Sequence, residues 1–75
     1  MIIKGDSPEG RLTQVYDKDG TRIGSPISEY NTETKEAIVF VFENGRAKVG
    51  KDGKLVKETR FLEGSYAEIG GKRVK

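Results

Sequence analysis

The segment from residue 37 to residue 56 reads AIVFVFENGRAKVGKDGKLV, and it decides the fold class. Its first six residues are small apolar, β-branched or aromatic, and such side chains fit the half-buried surface of a pleated sheet. Asn44-Gly45 then supplies the two residues of positive φ that a tight hairpin turn needs. A second turn follows at Lys51-Asp52-Gly53. The segment therefore predicts consecutive antiparallel strands, that is, a β-meander.

The Asn44-Gly45 turn also predicts the register of its hairpin, because a two-residue turn places Glu43 opposite Arg46. The face that we expect to be the core face carries Ile38, Phe40, Phe42, Ala47 and Val49. The opposite face carries Val39, Val41, Arg46 and Lys48. Since two of these are valines, this second face is either covered by another strand or an exposed apolar patch that marks an interface.

Turn signals recur about every ten residues along the rest of the chain, at Asp17-Lys18-Asp19-Gly20 and at Asn31-Thr32-Glu33-Thr34 among others. Between the turns lie strand candidates at residues 2–4, 12–16, 21–23, 27–30, 37–43, 46–49, 55–62 and 66–69. Short strands at this spacing favour a small barrel or sandwich. We therefore predict one all-β domain over residues 1–75, an antiparallel meander of five to seven strands that curls into an open SH3-like or OB-like barrel.

The amino-acid composition excludes several kinds of active site. The chain has 75 residues, no cysteine and no histidine, so the usual zinc ligand sets and the Cys–His and Ser–His arrangements are excluded. Ser7, Ser25, Ser28 and Ser65 lie beside turn residues, and we interpret them as turn caps. Asp17 and Asp19 precede a glycine without the further ligands of a calcium loop. We expect no catalytic residue, no cofactor and no metal, and we interpret the protein as a non-enzyme.

Charge is distributed unevenly along the chain, although the net charge is only +2. Residues 1–36 carry five basic and seven acidic side chains, and residues 37–75 carry nine basic and five acidic ones. A basic face formed by the later strands is one interpretation, and a solvated surface with a chance asymmetry is the other. Gly70-Gly71-Lys72-Arg73 is interpreted as a frayed basic tail.

Basic residues in the second half of the chain lie close in sequence to the aromatic residues Phe61 and Tyr66, and they are Lys48, Lys51, Lys54, Lys57 and Arg60. Basic residues interleaved with aromatic ones are also found in proteins that bind nucleic acids on a sheet. Tyr16 and Tyr30 are further candidates for stacking on bases. Lys57 beside Glu58 equally suits the protection of a sheet edge by charge. The candidate binding surface comprises Val39, Val41, Arg46, Lys48, Lys57, Arg60, Phe61 and Tyr66.

Two stretches, residues 15–20 (VYDKDG) and residues 30–37 (YNTETKEA), resemble the short open reading frames of tailed phages and prophages, many of which are small β-proteins. This resemblance implies a compact accessory protein that is host-directed or virion-associated and is usually not an enzyme. It implies no functional residues.

We therefore expect a non-enzymatic protein-interaction module, as a phage accessory or host-directed inhibitory protein. The alternatives are a weak nucleic-acid binder that uses the basic second half, and a structural subunit that associates with itself through sheet edges. Residues 37–42 form the longest apolar run, far short of the roughly 20 residues that span a bilayer. We thus expect no membrane partner and a cytoplasmic location, in the host cytoplasm if the chain is phage-encoded.

Overall fold

Short antiparallel strands dominate residues 1–24 and 26–74, which are the residues that the computed structural model describes. The elements in chain order are β1 (Ile2–Lys4), α1 (Pro8–Arg11), β2 (Thr13–Tyr16), β3 (Ile27–Asn31), β4 (Glu36–Phe40), β5 (Phe42–Glu43), β6 (Arg46–Ala47), β7 (Lys57–Phe61), β8 (Tyr66–Ile69) and β9 (Lys72–Arg73). The predicted all-β antiparallel fold is confirmed. The described strands outnumber the five to seven predicted because three of them, β5, β6 and β9, have only two residues each.

The strands of the described residues form three sheets. The largest has the strand order β1-β3-β4-β7, the second has the order β2-β8-β9, and β5 and β6 form a separate hairpin. Every strand pair is antiparallel. Over the residues that the structure describes, these sheets do not close into a barrel.

The predicted turn at Asn44-Gly45 is confirmed. Both residues have positive φ, 54° and 77°. Phe42 lies opposite Ala47 and Glu43 opposite Arg46, which is the predicted register. The register follows from the turn because a two-residue turn with positive φ at both positions matches the twist of the flanking strands and places the residues on its two sides opposite each other.

A carboxylate side chain closes the turn after β2, and an amide side chain closes the turn after β3. The Asp17 Oδ1 atom accepts hydrogen bonds from the backbone N–H groups of Asp19 and Thr21, at 2.8 and 2.9 Å. Asn31 Oδ1 accepts from Glu33 and Thr34 at 2.9 and 3.1 Å. These contacts confirm that the aspartate pair builds a turn and that the polar turn after β3 is held by side-chain bonds to the local backbone.

The predicted core face of the central strand is wrong. Ala37 and Val39 are buried, whereas Phe42 and Val49 are 49% and 57% exposed. Phe40 is only half-buried, so it is not the centre of the core. The core comprises Ile3, Val15, Tyr30, Ala37, Val39 and Ala67. The reason is that the face of β4 that carries Ala37 and Val39 packs toward the sheet that contains β2 and β8. Because β4 ends at Phe40, the buried face does not continue into the β5–β6 hairpin.

Tyr30 links the two larger sheets. Its side chain is 1% exposed, and its hydroxyl lies 2.7 Å from the hydroxyl of Ser65, which is 2% exposed. Ser65 therefore holds a core contact rather than a turn cap. Ser7 does act as a cap, because its Oγ accepts from the Gly10 N–H at the start of α1; Ser25 lies outside the described residues.

The predicted frayed tail at residues 70–73 is also wrong. Gly70 and Gly71, with φ of 59° and 85°, form a two-residue turn that places Ile69 opposite Lys72 and Glu68 opposite Arg73. The Val74 N–H continues the pairing by donating to the carbonyl of Ala67 at 2.9 Å. The glycine pair supplies the conformations that this turn requires, and β9 therefore extends the second sheet.

Candidate functional site

Strand β7 forms one edge of the largest sheet. All five of its residues are exposed. On its inner side it pairs with β4 from Glu36 opposite Phe61 to Phe40 opposite Lys57. An edge strand presents backbone N–H and C=O groups that can pair with another chain.

The hydrogen bonds at both ends of β7 show which of its backbone groups point outward. The Leu62 N–H donates to the Lys35 carbonyl at 2.8 Å, and the Val56 carbonyl accepts from the Val41 N–H at 3.0 Å. In an antiparallel pair, alternate residues direct both backbone groups to the same neighbour. The even-numbered residues of this segment therefore face β4. The N–H and C=O groups of residues 57, 59 and 61 point away from the sheet.

One face of β7 carries an ion pair. The Arg60 Nε atom donates to Glu58 Oε1 at 2.6 Å, and both side chains are exposed by about half, 59% and 44%. Exposed pairs of this kind contribute about 0–1 kcal/mol to stability. The pair therefore contributes little to the fold, and both charges are accessible to a partner.

The other face of β7 is apolar at one end and basic at the other. Phe61 is 66% exposed, the largest value among the exposed large hydrophobic residues described. At the far end, Lys57 Nζ lies 5.4 Å from the ring centroid of Phe40, within the distance of a cation–π contact. A partner strand would meet a backbone edge flanked by a phenylalanine and by three charges.

The basic residues at positions 46 and 48 lie on a separate structure, a three-way junction of hairpins. Val41 donates its N–H to Val56, Lys48 donates to Val41 and Val56 donates to Lys48, at 3.0, 2.8 and 2.9 Å. The Lys48 Nζ atom lies 3.7 Å from Glu43 Oε2. Arg46 thus lies in the β5–β6 hairpin and Lys48 directly follows it, and Val41 is half-buried at the base of the hairpin.

Tyr66 lies on the second sheet, opposite Tyr16. The two rings stack with centroids 5.3 Å apart, and the Arg73 guanidinium lies 4.3 Å from the Tyr66 centroid. Because β8 lies between β2 and β9, these two neighbours contact the Tyr66 ring from opposite sides. Both faces of the ring are therefore covered within the chain, which leaves no face for a base to stack on. Tyr30 is buried and is not a stacking residue either.

The eight candidate residues thus do not form one surface. Lys57, Arg60 and Phe61 lie together on β7, whereas Val41, Arg46 and Lys48 lie at the junction and its hairpin, and Tyr66 is on the other sheet. Val39 is 4% exposed and belongs to the core, so its placement on a binding surface is wrong. The candidate binding surface left out Glu58 and Thr59, although Lys57 beside Glu58 was one of the charge patterns that suggested a sheet edge, and β7 does lie at an edge.

The best-defined cleft has a volume of about 180 Å³ and is lined by Ile3, Val15, Ile23 and Tyr30, with Arg22 as its one charged side chain. Small-molecule sites commonly measure about 300–1,000 Å³ and enclose most of the ligand. Other depressions of the surface measure about 550, 540 and 460 Å³, but they are more open to solvent than this cleft. Among residues 1–24 and 26–74, no group of three or more acidic, histidine or cysteine side chains is placed to hold a metal ion. Over the same ranges, no helix has the length and apolarity to cross a membrane.

Comparison with protein-family models, with curated proteins and with solved structures finds no match to this chain.

Proposed function

We propose that the protein is a non-enzymatic protein-interaction module whose binding site is the β7 edge. The observation that carries this proposal is a strand of five exposed residues at the border of a sheet, with the backbone groups of residues 57, 59 and 61 directed outward. An extended segment of a partner adds a strand to such an edge, and main-chain hydrogen bonds then supply affinity. Phe61, 66% exposed, supplies an apolar contact.

A proline at residue 59 tests this site. Thr59→Pro removes an outward N–H but none of the hydrogen bonds to β4, because Thr59 does not face that strand, and proline is tolerated on sheet edges. We expect Thr59→Pro to stay folded and to lose its protein partner. Thr59→Val keeps the amide and the branched side chain, and serves as the matched control that retains the partner.

Because the sequence resembles phage accessory proteins, we expect the protein partner in bacterial lysates, and the partner is to be captured from them. Backbone amide exchange of the captured complex gives the second measurement, with slower exchange expected at Lys57, Thr59 and Phe61. The proposal fails if Thr59→Pro captures the same proteins as Thr59→Val, or if exchange at these three amides is unchanged in the complex.

Nucleic-acid binding is the competing proposal. It has less support, because Arg60 and Lys48 are paired with Glu58 and Glu43, and the ring of Tyr66 is covered on both faces. A titration of single-stranded and duplex oligonucleotides in a salt series separates the two, since phosphate contacts weaken steeply with salt. We expect any binding at low salt to be lost near 0.15 M, where the screening length is about 8 Å.

A further inference from the structure

The sequence of β7 is complementary to itself when it is reversed. Read as Lys57-Glu58-Thr59-Arg60-Phe61, it has a glutamate and an arginine at equal distances on either side of a central threonine. We propose that β7 pairs antiparallel with the β7 strand of a second copy of this chain, about a twofold axis through Thr59. This inference rests on the proposed function, because it names the partner of the same edge.

The outward backbone groups match this register. In a pair centred on Thr59, each Thr59 exchanges two N–H···O=C bonds with the Thr59 of the second copy. Lys57 and Phe61 exchange the same bonds across the interface at both ends. All the outward groups of residues 57, 59 and 61 are thereby paired, and the two four-stranded sheets become one continuous sheet.

The charges select this register. Glu58 of each copy lies opposite Arg60 of the other, at positions where opposed Cα atoms are only about 4.5 Å apart because no hydrogen bond joins the two residues. Opposite charges in cross-strand pairs are favourable and like charges are unfavourable. The intrachain contact between Glu58 and Arg60 keeps both groups on the face where the partner's charges lie.

The apolar end of β7 is covered in the same arrangement. Phe61 of one copy lies opposite Lys57 of the other, whose ammonium group already lies 5.4 Å from the ring centroid of Phe40. The lysine of each copy is thus placed between two phenylalanine rings, one from each chain. This contact buries the most exposed phenylalanine among the described residues.

Other pairings are less favourable. A parallel arrangement of two β7 strands brings Glu58 near Glu58 and Arg60 near Arg60. Pairing β7 with β1 of another copy leaves Arg60 without an acidic partner, since β1 offers Ile2, Ile3 and Lys4, and such a head-to-tail contact leads to a ring or an open chain of copies rather than to a twofold dimer. The antiparallel pair of two β7 strands closes as a dimer.

Charge-reversal variants test the register, and sedimentation equilibrium measures the dissociation constant of the dimer. The protein concentration should range from about 1 µM to about 1 mM, because an interface of one strand per chain is at the small, weak end of protein interfaces. We expect the wild-type chain to dimerise. Glu58→Arg and Arg60→Glu each place like charges opposite one another at two positions. We expect each to raise the dissociation constant at least tenfold. Lys51→Glu changes the charge by the same amount as Arg60→Glu in an exposed turn, and serves as the matched control.

A mixture of the two single variants separates a paired interface from a folding defect. A chain with arginine at both positions is complementary to a chain with glutamate at both positions. We therefore expect the mixture to form heterodimers at concentrations where each variant alone is a monomer, and the double variant Glu58→Arg with Arg60→Glu to dimerise as wild type does. Circular dichroism melts of each variant establish that it is folded.

The inference is overturned if the wild-type chain is monomeric up to about 1 mM, if the mixture stays monomeric, or if Lys51→Glu weakens the dimer as much as Arg60→Glu. Its failure is distinguishable from that of the proposed function. A monomeric chain whose amides at residues 57, 59 and 61 become protected in a complex with another protein overturns the self-pairing and leaves the module in place. A monomeric chain whose captured proteins are unaffected by Thr59→Pro overturns both.

Discussion

The hydrogen bond between Tyr30 and Ser65 is the most direct test of the core. It joins β3 of the first sheet to the residue that precedes β8 of the second, with the two hydroxyl oxygens 2.7 Å apart and both residues almost fully buried. We predict that Tyr30→Phe destabilises the protein although it removes a single oxygen atom. Ser65→Ala should have a similar effect from the other side of the contact.

The size of the destabilisation follows from the buried hydroxyl group that each substitution leaves without a hydrogen-bond partner. Tyr30→Phe leaves the Ser65 hydroxyl buried without its partner, and such a group costs about 1–3 kcal/mol. A chain of this length has a total free energy of unfolding of roughly 4–11 kcal/mol at the usual value per residue. Each kcal/mol lowers the melting temperature of a domain of this size by about 4–8 °C. Either single variant should therefore melt at a clearly lower temperature.

A double-mutant cycle measured by urea unfolding separates this hydrogen bond from general changes in packing. In the double variant no hydroxyl is left unpaired, so its destabilisation should be smaller than the sum of the two single effects by about 1 kcal/mol. Tyr16→Phe, at a half-buried ring on the second sheet, is the matched control and should change stability by less than about 0.5 kcal/mol. Additive single effects would refute the pairing of the two hydroxyl groups.

Three further predictions concern the backbone. Gly10→Ala should destabilise the protein by about 1–3 kcal/mol, because a Cβ atom there would lie 1.9 Å from the Lys4 carbonyl oxygen. Gly24→Ala is the control and should not destabilise it, because a Cβ atom at residue 24 would have no heavy atom within 4 Å, and urea titrations compare the two variants. Gly45→Val should lower stability by about 1–2 kcal/mol because φ is 77° there, and an unchanged melting temperature would contradict the turn. Lys35→Gly should raise the melting temperature, because Lys35 has a φ of 64° that glycine adopts without strain, and a decrease would contradict this account.

The turns were predictable because each depends on residues close together in the chain. Asn44-Gly45 contains the positive-φ residues that it needs, and Asp17 binds amides only two and four residues away. The same local reasoning applies to two features that were missed. Ser7-Pro8 is a sequence signal for the start of a helix, and Gly70-Gly71 between alternating residues is a signal for a hairpin.

The buried face of the central strand was not predictable, because residues 37–42 are apolar on both sides. Phe40 and Ile38 are larger than Ala37 and Val39, so the sequence pattern led us to expect the face with the larger side chains to be buried. Burial is decided instead by which face of β4 meets the second sheet, where Val15 and Ala67 lie. That contact joins residues far apart in sequence, and the alternation of one strand carries no information about it.

The candidate site was predictable in part for the same reason. Lys57, Arg60 and Phe61 were expected to share a strand and do so, whereas the position of that strand at the edge follows from the strand order β1-β3-β4-β7. Tyr66 was grouped with them because it is near in sequence and aromatic. Its pairing with Tyr16 places it on the other sheet instead.

If β7 pairs with a second copy as proposed, its charges serve two purposes. Natural sheets protect their edges with charged residues, since an ion brought against an apolar strand loses its hydration without gaining a partner. Lys57, Glu58 and Arg60 give β7 that protection against most extended segments. The same charges attract a strand in which acidic and basic residues follow in the opposite order, and the reversed strand of a second copy has that order. In the proposed dimer, specificity would therefore arise from the charges that exclude other strands, while the backbone groups of residues 57, 59 and 61 would bind any strand of suitable shape.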